Sequence, residues 1–202
     1  LMKNDYKLIF NCDLQNSISK NFFYKKINKN YNSFAHTTIL EHERIEGNNT
    51  AYQYFTKMGP LAFLPISKSE TSIVYSARGN KNIDLDFLIK KFNPKFKINK
   101  INKYNSFELK LLNLRSYYHK NILAFGDLLH RVHPLAGQGF NMTIRDIKVL
   151  INMIKFNLDH GLDLDESICA KFEKKTKSQN YIFSNSIDLI YEFFKLESKS
   201  NK

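Results

Sequence analysis

The sequence predicts an α/β chain of the mixed, α+β kind, and three stretches carry that expectation. Between Phe34 and Ala77, short runs rich in β-branched and aromatic residues follow one another with turn signals between them, a spacing that favours antiparallel neighbours. Ile122 to Phe125 is a continuous apolar run that ends at Gly126-Asp127, the pattern of a strand buried on both faces that stops in a turn. Beyond it, Phe140, Ile144, Ile147, Ile151, Ile154 and Leu158 recur at steps of four and three, and a second helical segment runs from about Asp165 to about Leu196.

Taken in order, Tyr6 to Phe10 reads as a short strand entering an Asn- and Ser-rich turn that extends to Lys20. Phe34 to Leu40, Thr50 to Phe55, Leu61 to Ile66 and Thr71 to Ala77 are the expected strands, punctuated by Gly47-Asn48-Asn49, Met58-Gly59-Pro60 and Lys68-Ser69. Leu85 to Phe92 is helical in pattern, opened by Asp84 and stopped by Asn93-Pro94, and Phe107 to Leu114 reads as a returning strand. In the helix after residue 139, Asn141, Arg145, Lys148, Asn152 and Lys155 fall off the apolar stripe. Met142, Val149, Leu150 and Met153 widen it, so a helix packed in the interior is expected, stopping between Asp159 and Gly161. The last helical segment should bury Ile168, Phe172, Ile182, Ile187, Ile190 and Phe194.

At 202 residues the chain can bury a sizeable core. Thirty-one basic against nineteen acidic residues give a net charge of +12, a balance that raises nucleic acid or an anionic surface as a partner. The lysines are spread along the chain among Asn and Ile, and the densest cluster, Lys90 to Lys103, reads as a solvated face, so no nucleic-acid partner is expected. Cys12 and Cys169 are far apart and lack a partner pattern, which implies neither a disulfide framework nor a zinc site and suits a reducing, cytoplasmic setting. No apolar run approaches the ~20 residues of a membrane span, so any contact with an inner membrane is expected to be peripheral. His130 and His133, three apart with no cysteine nearby, are weak metal evidence, and no metal is expected. Neither a recognisable Ser-His-Asp order nor a phosphate loop of the Gly-x-x-x-x-Gly-Lys type occurs.

Pro134 fixes the backbone just before Ala136-Gly137-Gln138-Gly139, a loop with almost no side-chain bulk that leads directly into a helix. Such a loop lets backbone N–H groups approach a ligand closely, and the helix start adds partial positive charge. Gly126-Asp127, His130, His133-Pro134, Gly137-Gln138-Gly139, Asn141 and Asp146 together resemble the second flavin motif of the FAD-dependent aromatic hydroxylases. Within that superfamily the wording is similar to the ubiquinone-biosynthesis hydroxylases, and the likeness continues in Ala51 to Thr56 and Gly59 to Pro65. Asp13 and Ser17 resemble a further flavin motif of the family, from which Leu14 and Lys20 depart where a glycine and an arginine are usual.

The resemblance implies a FAD/NAD(P)-binding hydroxylase fold that lacks its N-terminal βαβ unit, since no Gly-x-Gly-x-x-Gly turn occurs and no glycine precedes Gly47. It divides the chain into a remnant of the FAD-binding domain at 1–30, a substrate-binding antiparallel sheet at 31–115, and a FAD-binding strand, Gly-Asp motif and C-terminal helices at 116–202. FAD is the implied cofactor, held by Gly126, Asp127, Pro134, Ala136, Gly137, Gln138, Gly139, Asn141 and Asp13, with Asp127 accepting a hydrogen bond from the ribityl chain. Tyr52, Tyr54, Phe55, Phe63 and Leu64 could line a substrate cavity, or fill the core between sheet and helices. The implied partners are NAD(P)H, O2, a polyprenylated phenol and other proteins of ubiquinone biosynthesis. The cofactor carries the oxygen-transfer chemistry, so no side chain is named as catalytic. The alternative, which Leu14 and Lys20 favour, is a non-catalytic remnant or accessory subunit.

Overall fold

The computed structural model describes residues 6–79, 82–132 and 138–200. The chain divides into two compact units, one formed by 1–29 with 110–202 and the other by 30–109. In chain order the elements are β1 (Ile9–Asn11), α1 (Ser17–Phe22), β2 (Lys26–His42), β3 (Tyr52–Thr56), β4 (Gly59–Pro65), β5 (Glu70–Arg78) and α2 (Leu85–Phe92). Then come β6 (Ile98–Ile101), β7 (Asn105–Leu114), β8 (Tyr118–His119), β9 (Ile122–Ala124), a 3-10 turn at Gly126–Leu128, β10 (His130–Arg131), α3 (Gln138–Asp159) and α4 (Glu166–Ser200). β2 and β7 both cross the boundary between the units.

The 30–109 unit is an antiparallel sheet with β2, β5, β4 and β3 as successive neighbours and β6 paired with the end of β2. Strand alternation gives it two faces. Leu40, Leu61, Phe63, Ile73, Tyr75 and Ala77 form one buried layer, closed by Leu85 and Ile89 of α2 and by Phe96. α2 has the bounds its sequence signals predict, because Asp84 caps it by accepting from the Phe87 N–H at 2.9 Å. Phe63 is fully buried in this layer, and Tyr54 stands edge-on to it with centroids 6.0 Å apart, so these rings pack sheet against helix. Phe55 and Leu64 lie on the opposite face, exposed. Gly59 makes this sheet possible: at φ +145° its α-carbon sits so close to β5 that a β-carbon would fall 1.9 Å from the Ser76 carbonyl oxygen.

The other unit carries a small sheet in the order β1-β9-β8, with β1 and β9 parallel and β8 antiparallel to β9. Ile9, Phe10 and Asn11 pair with Ile122, Leu123 and Ala124, so residues more than a hundred positions apart form its centre. Leu123, Ala124, Leu128 and Leu129 pack against Leu150 of α3 and against Ile168, Cys169 and Phe172 of α4. Burial pushes the Cys169 thiol up to about 11, while Cys12 is exposed, and neither is in a disulfide.

Two expectations about the helices need correction. The face of α3 that packs inward carries Met142, Asp146, Leu150 and Asn157, not the stripe through Phe140, Ile144, Ile147, Ile151 and Leu158, which is exposed. Apolar residues occupy both sides of this helix, so periodicity could not choose between them. Asp146 and Asn157 are tolerated inside because both are hydrogen-bonded. In α4, Ile168, Phe172 and Ile187 are buried as expected, Ile182 and Ile190 are exposed, and the Phe194 side chain lies outside the described residues. α3 ends at Asp159, with Gly161 in the left-handed region at φ +64°.

Candidate flavin-binding site

β1 and β9 run parallel and end side by side, tied by the Phe125 N–H donating to the Asn11 carbonyl at 2.9 Å. Asp13 follows the last paired residue of β1 by two positions, and Asp127 follows that of β9 by three. Two carboxylates widely separated in sequence thus follow neighbouring strand ends, and in open α/β sheets ligands bind outside the carboxyl ends of parallel strands.

The turn bearing Asp13 is built from short polar side chains. Asn16 caps α1 by accepting from the Ser19 N–H at 2.8 Å and donates its amide to Asn11 Oδ1 at 2.7 Å. Asn11 in turn donates to Ser19 Oγ at 2.8 Å, and that hydroxyl donates to the Asp13 carbonyl. The Asp13 carboxylate is exposed and accepts the Gln15 N–H at 2.8 Å. Leu14 is not among the residues at positive φ, so the backbone here needs no glycine, and its side chain packs onto the apolar core. Lys20 is exposed in the last turn of α1.

After β9 the chain turns at Gly126, whose φ of +60° suits glycine, and the 3-10 turn closes with the Leu129 N–H donating to the Gly126 carbonyl at 2.9 Å. Asp127 projects from this turn with its side chain 73% exposed, and Arg131 Nη2 donates to its Oδ2 at 3.3 Å. His130 and Arg131 then pair with Asn113 and Leu112 of β7. His133, Pro134, Ala136 and Gly137 lie outside the described residues. Gln138 opens α3, Gly139 follows and Asn141 is exposed in its first turn. A β-carbon on Gly139 would meet only Val132 Cγ2, at 3.6 Å, and one on Gly126 would meet nothing within 4 Å. Among the described residues, then, no side chain or backbone crowds either glycine.

The two ends of this loop are joined by a buried network that the sequence did not disclose. His130 Nε2 donates to Asp146 Oδ2 at 2.8 Å, both side chains being 1% exposed. The Asn180 amide of α4 donates to the same oxygen at 3.0 Å, and Arg145 Nη2 donates to Asn180 Oδ1 at 2.6 Å. His130 Nδ1 is buried with no hydrogen-bond partner among the described residues. Tyr117 is nearby, its hydroxyl pushed up to about 12 chiefly by burial, with the Asp146 and Glu173 carboxylates adding to the rise. His130 and Asp146 stood in the motif, but their pairing joins β10 to α3 and Asn180 carried no local signal.

The described residues fit a flavin: an exposed acceptor at Asp127, no described atom crowding Gly126 or Gly139, and a helix start whose first N–H groups have no intrahelical acceptor. Among the described residues no cluster of three or more His, Cys, Asp or Glu side chains is placed to hold a metal, and no helix is long and apolar enough to cross a membrane.

The chain is 25% identical to the mitochondrial ubiquinone biosynthesis monooxygenase COQ6 of Schizosaccharomyces pombe, over 95% of this chain and 50% of that protein. It is 27% identical to the 3-demethoxyubiquinol 3-hydroxylase of Escherichia coli, over 75% of this chain and 41% of that one. Its homologues are ubiquinone-biosynthesis hydroxylases. The chain spans about half the length of the curated relatives it matches. No family model matches it. Its fold is shared with pqsL, a probable FAD-dependent monooxygenase from Pseudomonas aeruginosa, at a TM-score of 0.64 and 17% identity over 90% of this chain and 53% of that one. The antiparallel sheet and the long C-terminal helices expected of such a hydroxylase are both present.

Proposed function

We propose that this chain supplies the flavin-ring contacts and the substrate-side sheet of an FAD-dependent monooxygenase that hydroxylates the aromatic ring of a polyprenylated phenol in ubiquinone biosynthesis. The observation that carries the reading is the pair of turns at the ends of β1 and β9, which present Asp13 and Asp127 beside a glycine at φ +60°. FAD when bound supplies O2 activation with electrons from NADH or NADPH, and this chain's residues bind and orient. Asp127, an acceptor-only group, anchors a hydroxyl of the ribityl chain. The backbone from Gly137 to Gly139 and the start of α3 place donors and partial positive charge at the electron-rich edge of the ring system. Pro134 and Ala136 belong to the same contact set by the resemblance of the motif, and Asn141 stands exposed in the first turn of α3. His130, Asp146 and Asn180 hold both ends of that loop and so act as positioning residues. The exposed apolar face of the other unit's sheet, with Phe55 and Leu64, suits a greasy aromatic substrate.

The test is flavin affinity in the complete polypeptide as the cell makes it. Asp127→Ala removes a hydrogen bond to a charged acceptor, about 1.5–3 kcal/mol, so the FAD dissociation constant should rise roughly 10- to 100-fold. Flavin-dependent NAD(P)H oxidation stimulated by a prenylated phenol should accompany binding by the unaltered protein. An unchanged dissociation constant in the variant would remove Asp127 from the site.

A further inference from the structure

Between the β7–β8 bend and α4 lies a cleft of about 1130 Å³, and every residue that lines it belongs to the 1–29 and 110–202 unit. One wall is made by residues 113–120. The other is α4, which presents Glu166, Ala170, Glu173, Lys177 and Tyr181, at spacings of four and three that place them on one helical face. The volume is slightly above the roughly 300–1,000 Å³ usual for small-molecule sites, and none of the lining residues belongs to the flavin set.

Part of the charge in this cleft is committed to structure. Glu173 Oε2 accepts the Tyr117 N–H at 3.1 Å, and Glu173 Oε1 pairs with Lys177, whose ammonium also donates to the Arg115 carbonyl. These bonds fasten the bend to α4 and occupy both side chains. The Arg115 backbone has the same role, its N–H donating to the Lys25 carbonyl at 3.0 Å. Its guanidinium has no such duty. Arg115, Lys120 and Lys174 are exposed on the cleft, and among the described residues their side chains make no hydrogen bond or ion pair. Glu166 is the one other carboxylate in the lining, so the cleft keeps an excess of positive charge. Tyr118 and Tyr181 add two rings that stack on no other ring among the described residues, and Tyr181 is 50% exposed. Unpaired cations beside open aromatic faces suit an anionic group joined to a flat ring: a guanidinium forks onto phosphate or carboxylate oxygens, and the tyrosines cover the ring.

We propose that this cleft is a second ligand site, separate from the flavin turns, for a small organic anion whose phosphate or carboxylate is carried on a flat unsaturated body. Arg115 and Lys174 meet the anion, and Tyr118 and Tyr181 meet the ring.

The experiment titrates 1-naphthyl phosphate and 1-naphthoate into the complete polypeptide as the cell makes it, followed by calorimetry. Inorganic phosphate and 1-naphthol are the arms that lack the ring or the anion. At least one naphthyl anion should bind saturably, roughly 10-fold or more tighter than either control, and the tighter of the two identifies the head group. Arg115→Gln and Lys174→Gln should each weaken it roughly 10- to 100-fold, and Tyr181→Ala about 2- to 10-fold. Asp127→Ala in the flavin turn and Lys155→Gln on α3 should leave it within about twofold. All three cleft side chains are exposed, so far-UV circular dichroism of their variants should match the unaltered protein. Absence of saturation below about 1 mM would overturn the proposal, as would an unchanged constant in both Arg115→Gln and Lys174→Gln. Equal affinity for phosphate alone would reduce the cleft to a basic surface, and loss of binding in Asp127→Ala would place the probe in the flavin site; either result would refute it. None of these readouts needs flavin, so this inference and the flavin reading can fail separately.

Discussion

The His130–Asp146 bridge offers the sharpest test of how the loop before α3 is held. With Asp146 only 1% exposed, His130→Leu would leave its carboxylate with the Asn180 amide as its one remaining side-chain donor among the described residues. Removing one partner of a buried pair costs about 3–5 kcal/mol, because the other charge stays desolvated. Asp146→Leu strands the His130 ring, whose Nδ1 has no partner among the described residues, together with the Asn180 amide, at about 2–4 kcal/mol for the two unsatisfied groups. The double variant costs only the Asn180 amide an acceptor, at about 1–2 kcal/mol, so it should be milder than the sum of the singles by about 4 kcal/mol or more. With no tryptophan in the chain, urea unfolding is best followed by far-UV circular dichroism, with amide exchange at 129–131 and 138–146 to localise the effect. Single and double variants that add to within about 0.5 kcal/mol would show that the two side chains do not support one another.

Two further outcomes follow from individual residues. Tyr117 has a hydroxyl pushed up to about 12 against an ordinary value near 10. A raised folded-state pKa gives stability that is complete below the unfolded value and is lost as pH rises from about 10 to about 12, on the order of 3 kcal/mol. Tyr117→Phe should flatten that part of the stability–pH curve, and an unchanged slope would contradict the burial argument. Gly59→Ala forces a β-carbon against the Ser76 carbonyl and should destabilise the 30–109 unit by about 3 kcal/mol, measurable as a drop in its urea midpoint.

What was legible in the sequence was what is decided locally. Asp84 and Asn93-Pro94 bound α2 because caps and breakers act within a few residues, and β4 and β5 declared themselves as β-branched and aromatic runs between turn signals. β2 runs from Lys26 rather than from the expected Phe34, because its first half is Lys, Asn and Tyr and carries no strand signal without its neighbours. The turn at Gly126-Asp127 was visible because glycine at a strand end has few other uses. The closure of the loop by His130, Asp146 and Asn180 was not, since a hydrogen bond across 16 or 34 residues leaves no periodic trace. The facing of α3 failed for a related reason: two apolar sides look alike until something packs on one of them.

The parallel pairing of Ile9 to Asn11 with Ile122 to Ala124 has a consequence for the order of assembly. The 30–109 unit leaves the ribosome before the strand that residues 9–11 await, so the sheet between them can mature while the first strand is still unattached. That long wait raises the contact order of the flavin-side unit and makes it the slower to form. A released chain that ends just short of residue 122 should therefore hold a finished sheet domain with the 9–11 strand unattached.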